Sequence, residues 1–208
     1  MNIFVTGTGT GIGKTVVSAI ITEALKADYW KPVQAGFESG TDSEWVKNVL
    51  SNGVSTVHPE KYKLELAASP HIAAEKENIN ISIDVIKKAM PLVDNLVIEG
   101  AGGLMVPLNK NEFVADLIKV LDARVVLVSR NTLGSINHSL LTAMACKQKG
   151  IRVLGWIFND NYLDYENEIT EWTGYHHLGS IPFVASPDKK FVAEQADILE
   201  NKFYHWPW

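Results

Sequence analysis

The sequence predicts an α/β fold, with one doubly wound, mostly parallel sheet covered by helices on both faces. Three observations predict it. Short apolar runs alternate with longer stretches of helical periodicity, and strand-then-helix alternation implies a parallel sheet packed on both sides. The 208 residues, 46% hydrophobic and 21% charged, suffice for one sizeable core but fall short of the ~250 residues at which cores usually split. No internal repeat, low-complexity tract or linker-like stretch interrupts the chain, so residues 1–208 are expected to form a single domain.

The elements follow in order. Residues 3–6 read as the first strand and residues 13–26 as the first helix. Residues 28–33 read as one extended segment closed by Pro32. Trp45, Val46, Val49 and Leu50 recur at helical spacing and predict a helix over residues 43–50. A helix over residues 83–93, a strand over 95–99 and a helical stretch over 113–121 come next. Residues 124–129 form a Val-rich buried strand. The helix after it, residues 135–149, is stopped by Gly150, the residue that tolerates a left-handed C-terminus. A strand over 152–158, a short helix over 166–172, a strand over 178–183 and a helix over 189–200 complete the pattern. The tail Tyr204-His205-Trp206-Pro207-Trp208 is strongly aromatic and reads as docking either on the body or on a partner subunit.

Composition excludes some classes. The formal net charge of −5, with no basic stripe, argues against nucleic acid as a partner. The N-terminus lacks a basic segment followed by a long apolar run. No apolar stretch approaches the ~20 residues that span a bilayer, so no membrane partner and a cytoplasmic location are expected. The one cysteine, Cys146, forms no internal disulfide. It reads as a small buried apolar residue or as a reactive thiol.

Four segments carry chemistry. Gly7-Thr8-Gly9-Thr10-Gly11-Ile12-Gly13-Lys14-Thr15-Val16 lies between the first strand and the first helix. Backbone N–H groups of such a loop converge on phosphate oxygens, and glycine permits the close approach. Lys14 would reach the β- and γ-phosphates of ATP, and the Thr15 hydroxyl would ligate Mg²⁺. The spacing departs from the usual phosphate loop, because its first glycine position holds Thr8 and Gly7 comes one residue early. Next, Leu96-Val97-Ile98-Glu99-Gly100-Ala101-Gly102-Gly103 ends an apolar strand in a carboxylate and a glycine-rich turn. Strand C-termini of a parallel sheet form the ligand edge, where Glu99 could serve Mg²⁺ or simply be solvated. In Trp30-Lys31-Pro32-Val33-Gln34-Ala35-Gly36, Lys31 points at the same edge, either as a surface charge or beside Lys14. Asp42 reads as a helix N-cap or as a second carboxylate associated with magnesium. Last, Asn159-Asp160 follows a strand at that edge and suits a turn or the polar edge of adenine.

In this order the segments resemble the dethiobiotin synthetase family. The resemblance runs from Thr6 to about Val184. It rests on the longer glycine-rich loop, Lys31-Pro32-Val33, Ser69-Pro70-His71, Glu99-Gly100-Ala101-Gly102-Gly103, Leu133-Gly134-Ser135-Ile136-Asn137-His138, Asn159-Asp160 and Ile181-Pro182. The resemblance implies an ATP-dependent cyclo-ligase that uses CO₂ and MgATP to close a ureido ring on 7,8-diaminononanoate, through a carbamate and a carbamic–phosphoric anhydride. It implies Lys31 and Lys14 as catalytic groups, and Thr15, Asp42 and Glu99 as magnesium ligands. It places the nucleotide on Gly11, Ile12, Gly13, Lys14, Thr15, Val16, Asp42, Glu99, Gly100, Ala101, Gly102, Asn159, Asp160, Pro182, Phe183 and Val184. Ala35 and Ser69 would face the substrate. Gly134, Ser135, Ile136 and Asn137, contributed by the other subunit of a homodimer, would hold its far carboxylate.

Two positions depart from some members of the family. Ala35 stands where a hydroxyl residue often contacts the substrate, and Gly11 where some members carry glutamate. The rival expectation is a nucleotide-switch ATPase of the chromosome-partitioning or septum-placement type. Such proteins share the fold and carry an extra lysine near the loop start, where this chain has Gly9. A non-catalytic binding module is the third reading, weakened by the presence of Lys14, Thr15, Asp42 and Glu99.

Overall fold

The computed structural model describes residues 1–160 and 163–207, with Tyr204 by its backbone alone. Among them, strands β1 (Asn2–Gly7), β2 (Asp28–Trp30), β4 (Val57–His58), β6 (Leu96–Glu99), β7 (Arg124–Arg130), β8 (Val153–Asn159) and β9 (His177–Ile181) form one sheet. Its order is β4-β2-β6-β1-β7-β8-β9, and its pairings are parallel. Strands β3 (Val33–Ala35) and β5 (Tyr62–Leu64) pair separately, also in parallel.

Alternation along the strands sorts the core into two layers. Phe4, Leu96, Ile98, Val125 and Leu127 face one layer, and Ile3, Val5, Val97, Val126 and Val128 the other. Helices α3 (Pro70–Lys76), α4 (Ile83–Ala89), α5 (Val114–Val120), α6 (Ser135–Lys149) and α7 (Glu166–Thr173) bury apolar residues in the first layer. Helices α1 (Lys14–Leu25), α2 (Asp42–Val49) and α8 (Lys189–Glu200) do so in the second. Each fully buried Ile, Leu or Phe contributes about 1.5–3 kcal/mol, so both faces of the sheet are strongly specified. The doubly wound α/β reading therefore holds.

Several elements differ from the sequence expectation. The segment 28–33 is not one continuous strand: it holds β2 and only the first residue of β3, which belong to different sheets and are separated at Lys31-Pro32. Pro32 has no N–H for the ladder, and its carbonyl instead accepts from the backbone N–H groups of Lys61 and Tyr62. The helix expected over 83–93 ends at Ala89, because Met90 precedes Pro91 and takes extended angles. The last strand stops at Ile181, before Pro182. Helix α3 and the short strands β3, β4 and β5 were not expected as elements. Helix α3 did carry a signal in Ser69-Pro70, an N-cap followed by proline at the first helical position.

Cys146 is fully buried and its thiol is pushed up to about 12 by burial, which makes it an apolar core residue. The aromatic tail docks on the body: Trp206 is 5% exposed in the second layer and meets Phe203 edge-on at 5.0 Å. Trp208 lies outside the described residues. Among the described residues, no helix is long and apolar enough to cross a membrane.

Candidate active site

The C-terminal ends of β1, β2, β6 and β8 bring the expected residues together. The glycine-rich loop leaves β1 and enters α1 at Lys14. Gly13 sits at the helix start with φ 90°, and a side-chain carbon there would lie 2.0 Å from the Asn159 amide nitrogen. Only glycine meets both conditions. Asn159, the last residue of β8, donates from Nδ2 to the Ile12 carbonyl at 2.6 Å and so ties the loop to the sheet.

A cleft of about 750 Å³ opens beside the loop, lined by residues that include Thr10, Gly11, Gly13, Lys14, Thr15, Val16, Lys31, Ala35, Asp42, Ser69, Glu99, Ala101 and Gly102. Gly100 stands between Glu99 and Ala101, its N–H donating to the Val5 carbonyl at 2.9 Å. Lys31 Nζ lies 2.6 Å from Asp42 Oδ2 and 2.8 Å from Glu99 Oε1. Thr15 Oγ1 donates to the same Glu99 oxygen at 2.9 Å. Burial pulls the Lys31 ammonium towards neutrality, but the charges of Glu99 and Asp42 and their hydrogen bonds outweigh it and raise its pKa. Lys31 is therefore a firmly held cation.

Lys14 is different. Its Nζ donates to the Gly9 carbonyl at 2.6 Å. Burial and the nearby Lys31 charge lower its pKa to about 8, partly offset by Glu99 and Asp42.

Asp42 does not cap its helix. Thr41 is the N-cap, in a reciprocal capping box with Glu44, which leaves the Asp42 carboxylate to face Lys31. Gln34 holds the start of α2 from the other side, accepting from the Asp42 N–H and donating to the Gly36 carbonyl.

The hard-oxygen set of Thr15, Asp42 and Glu99 fits a magnesium site. The two carboxylates already converge on one positive charge, the Lys31 ammonium. Mg²⁺ is commonly held by one or two carboxylates plus substrate phosphates rather than by an all-protein cage. No group of three or more His, Cys, Asp or Glu placed to hold a metal occurs among the described residues.

A second cleft adjoins the first across Gly11, Gly13 and Val16, lined also by Arg130, Asn159, Asp160, Pro182, Phe183 and Val184. The structure thus gathers the residues that the sequence associates with adenine. Arg130 was not anticipated. It ends β7, pairs with Asp160 at 3.3 Å, and lies 5.4 Å from the Phe183 ring centre.

Tyr29 was also missed. Its hydroxyl donates to Glu99 Oε2 at 2.7 Å. Burial first, then the Glu99 charge and hydrogen bond, hold its pKa well above the ordinary tyrosine value. A tyrosine in the middle of a short strand, between Asp28 and Trp30, carries no sequence signal for this contact. The segment 134–137 stands apart from both clefts: Gly134 and Asn137 are exposed at the start of α6.

Comparison with known proteins identifies the chain's relatives. A family model described as an AAA domain matches residues 1–190. An ATP-dependent dethiobiotin synthetase from Christiangramia forsetii is 54% identical over 200 residues, 96% of each chain. One from Cytophaga hutchinsonii is 48% identical over 202 residues, 97% of this chain and 96% of its own. Among solved structures, the MinD cell division protein of Aquifex aeolicus superposes with a TM-score of 0.56 at 14% identity, covering 96% of this chain and 97% of its own. A ParA family ATPase from Chlorobium tepidum gives 0.55, also at 14% identity, covering 96% and 90%. The last two share the fold alone, whereas the near full-length identity to the synthetases places the chain itself: it belongs to the ATP-dependent dethiobiotin synthetase family.

Proposed function

We propose that the chain is an ATP-dependent cyclo-ligase that converts 7,8-diaminononanoate, CO₂ (drawn from bicarbonate) and MgATP into dethiobiotin, ADP and phosphate. The carrying observation is the Lys31 ammonium, fixed between Asp42 and Glu99 at the mouth of a phosphate loop. One substrate amine adds to CO₂ and loses a proton, giving a carbamate. A carbamate oxygen attacks the γ-phosphorus, the bond to the ADP oxygen breaks, and a carbamic–phosphoric anhydride forms. The second amine then attacks the carbonyl carbon and expels phosphate, closing the ring.

The chain's part is to bring two anions together. Carbamate and γ-phosphoryl group repel each other, and fixed positive charge in a low-dielectric cleft offsets that repulsion. Lys14 meets the β- and γ-phosphates, moving from the Gly9 carbonyl to do so. Lys31 meets the carbamate and the transferring group. Thr15, Asp42 and Glu99 would hold Mg²⁺, whose charge would offset that of the phosphates. Residues 11–16, 101 and 102 supply backbone N–H groups to the phosphates, and Gly100, whose N–H is taken by the Val5 carbonyl, carries the turn that places them. Asn159, Asp160, Pro182, Phe183 and Val184 surround adenine, and Ala35 and Ser69 border the diamine.

The working unit in this reading is a cytoplasmic homodimer. Residues 134–137 lie off the cleft of their own chain, amid the exposed apolar side chains Leu133, Leu141 and Met144. Seated against a second copy, the start of α6 would offer its N–H groups to the substrate's remote carboxylate. The switch ATPases are related at only 12–14% identity, and Gly9 stands where they carry a lysine. The direct test is formation of dethiobiotin from diaminononanoate, bicarbonate and MgATP by purified protein. ATP hydrolysis that ignores the diamine would point to the switch reading instead.

A further inference from the structure

Strands β2 and β6 are parallel neighbours, with Tyr29 opposite Val97 and Trp30 opposite Ile98. Side chains two residues apart share a face of the sheet, so Tyr29 and Glu99 lie on the same face, diagonally across the pair. The phenol runs along that face and its hydroxyl meets Glu99 Oε2 at 2.7 Å. Tyr29 is 0% exposed and Glu99 1%, so no water competes for this oxygen. The other oxygen, Oε1, takes both donors of the cleft, Lys31 Nζ at 2.8 Å and Thr15 Oγ1 at 2.9 Å. The carboxylate is thus divided between a donor in the core and two donors at the site.

That division matters because the last torsion of a glutamate is broad. Without a partner on Oε2, the carboxylate could turn either oxygen, or both, towards a cation. We propose that Tyr29 is a positioning residue that locks the Glu99 carboxylate so that a single oxygen, Oε1, faces the cleft. This rests on the reading of Glu99 as a magnesium group. Groups that orient a metal ligand from behind are typically worth about 10–100-fold in metal affinity or activity.

The test uses Tyr29→Phe, which keeps the ring in the core, with Tyr29→Met as a second variant lacking the hydroxyl. Mn²⁺ binding to the ADP-bound protein is followed by electron paramagnetic resonance, alongside the Mg²⁺ midpoint of ATP turnover and the diamine KM. The expected result is a Mn²⁺ dissociation constant raised about tenfold, a Mg²⁺ midpoint moved the same way, and an unchanged diamine KM. In a Glu99→Gln background the tyrosine substitution should add less than about a twofold effect, since two residues acting through one contact are not additive. Wild-type Mn²⁺ affinity in both tyrosine variants overturns the proposal. So does an equal loss in the Glu99→Gln background, which would mean that Tyr29 acts only through packing. If Glu99→Gln alone leaves Mn²⁺ affinity unchanged, the metal reading of Glu99 fails and this inference goes with it. A shift in Glu99→Gln with none in Tyr29→Phe sinks the inference alone.

Discussion

The Lys31 ammonium stands 2.8 Å from Glu99 Oε1, and these side chains are only 6% and 1% exposed. Neither charge is solvated, so each depends on the other. Removing one partner of such a pair typically costs about 3–5 kcal/mol, because the survivor is left buried and uncompensated. Lys31→Met should therefore lower both synthesis, by roughly a thousandfold, and the melting temperature measured in chelator. Millimolar Mg²⁺ or Mn²⁺ should recover part of that melting temperature, since a divalent cation replaces the missing charge between Asp42 and Glu99. Wild-type protein, whose carboxylates already hold a cation, should gain less. Equal gains in both proteins would contradict this account of the site.

Lys14 predicts the opposite pattern. Among the described residues its ammonium makes one hydrogen bond, to the Gly9 carbonyl, and burial disfavours its charge. Lys14→Ala should cost roughly a thousandfold in product formation. Its denaturation midpoint should match or exceed that of wild type, because a desolvated charge has been removed. A variant that melts well below wild type, or that keeps near-normal synthesis, would refute this division between a lysine held for catalysis and one that also holds the fold.

Glu166 offers a test by pH. Its Oε2 accepts from Ser180 Oγ and lies 3.2 Å from His177 Nε2, and its Oε1 accepts from Asn131 Nδ2. Burial pushes the carboxyl pKa up, but hydrogen bonds from His177 and Ser180 and the histidine charge outweigh it. The pKa falls below the ordinary 4.5. A carboxyl lowered in the folded state stabilises it above the unfolded value and loses that contribution as pH falls through the folded one. Glu166→Gln should therefore melt below wild type at about pH 6, with the gap closing as pH drops below about 4.5. The same amide of Asn131 also donates to the Asp160 carbonyl, so the variant should loosen the cleft beside Asp160 as well. A gap independent of pH would rule out the charged carboxylate as its source.

The sequence made the chemistry more legible than the geometry that supports it. Lys14, Thr15, Lys31 and Glu99 stand at strand ends and a loop-to-helix junction, places that periodicity and glycine spacing mark directly. The ladder break at Lys31-Pro32 was hidden because an extended run reads the same whether it feeds one sheet or two. Strands β4 and β5, of two and three residues, are too short to show alternation. Asp42 and Thr41 are both good caps, and only the reciprocal bonds with Glu44 decide between them. Tyr29 and Arg130 act on residues 70 and 30 positions away, through strand pairings that a single sequence does not encode locally.

The last prediction concerns the site proposed to be shared between two subunits. Residues 134–137 open α6 with Gly134 and Asn137 exposed, away from the cleft of their own chain. The diamine is a long chain whose carboxylate is remote from its reacting nitrogens. One cleft can hold the nucleotide and the amines, while the far carboxylate needs an anion site of its own. A helix N-terminus supplies oriented N–H donors without a lysine that would compete with the amines. Asn137→Asp places a negative charge beside that site. It should raise the diamine KM at least about tenfold and leave ATP affinity nearly intact, because a remote contact contributes mainly uniform binding. Mixed dimers sharpen the test. When Lys14→Ala chains are combined with Asn137→Asp chains, each hybrid has one site carrying both defects. Its other site pairs the intact loop of the Asn137→Asp chain with the intact α6 start of the Lys14→Ala chain. Below the raised KM, two nearly inactive proteins should regain activity on mixing, up to one working site per hybrid. Hybrids that form, as shown by two affinity tags recovered together, yet remain inactive would mean that each chain completes its own site.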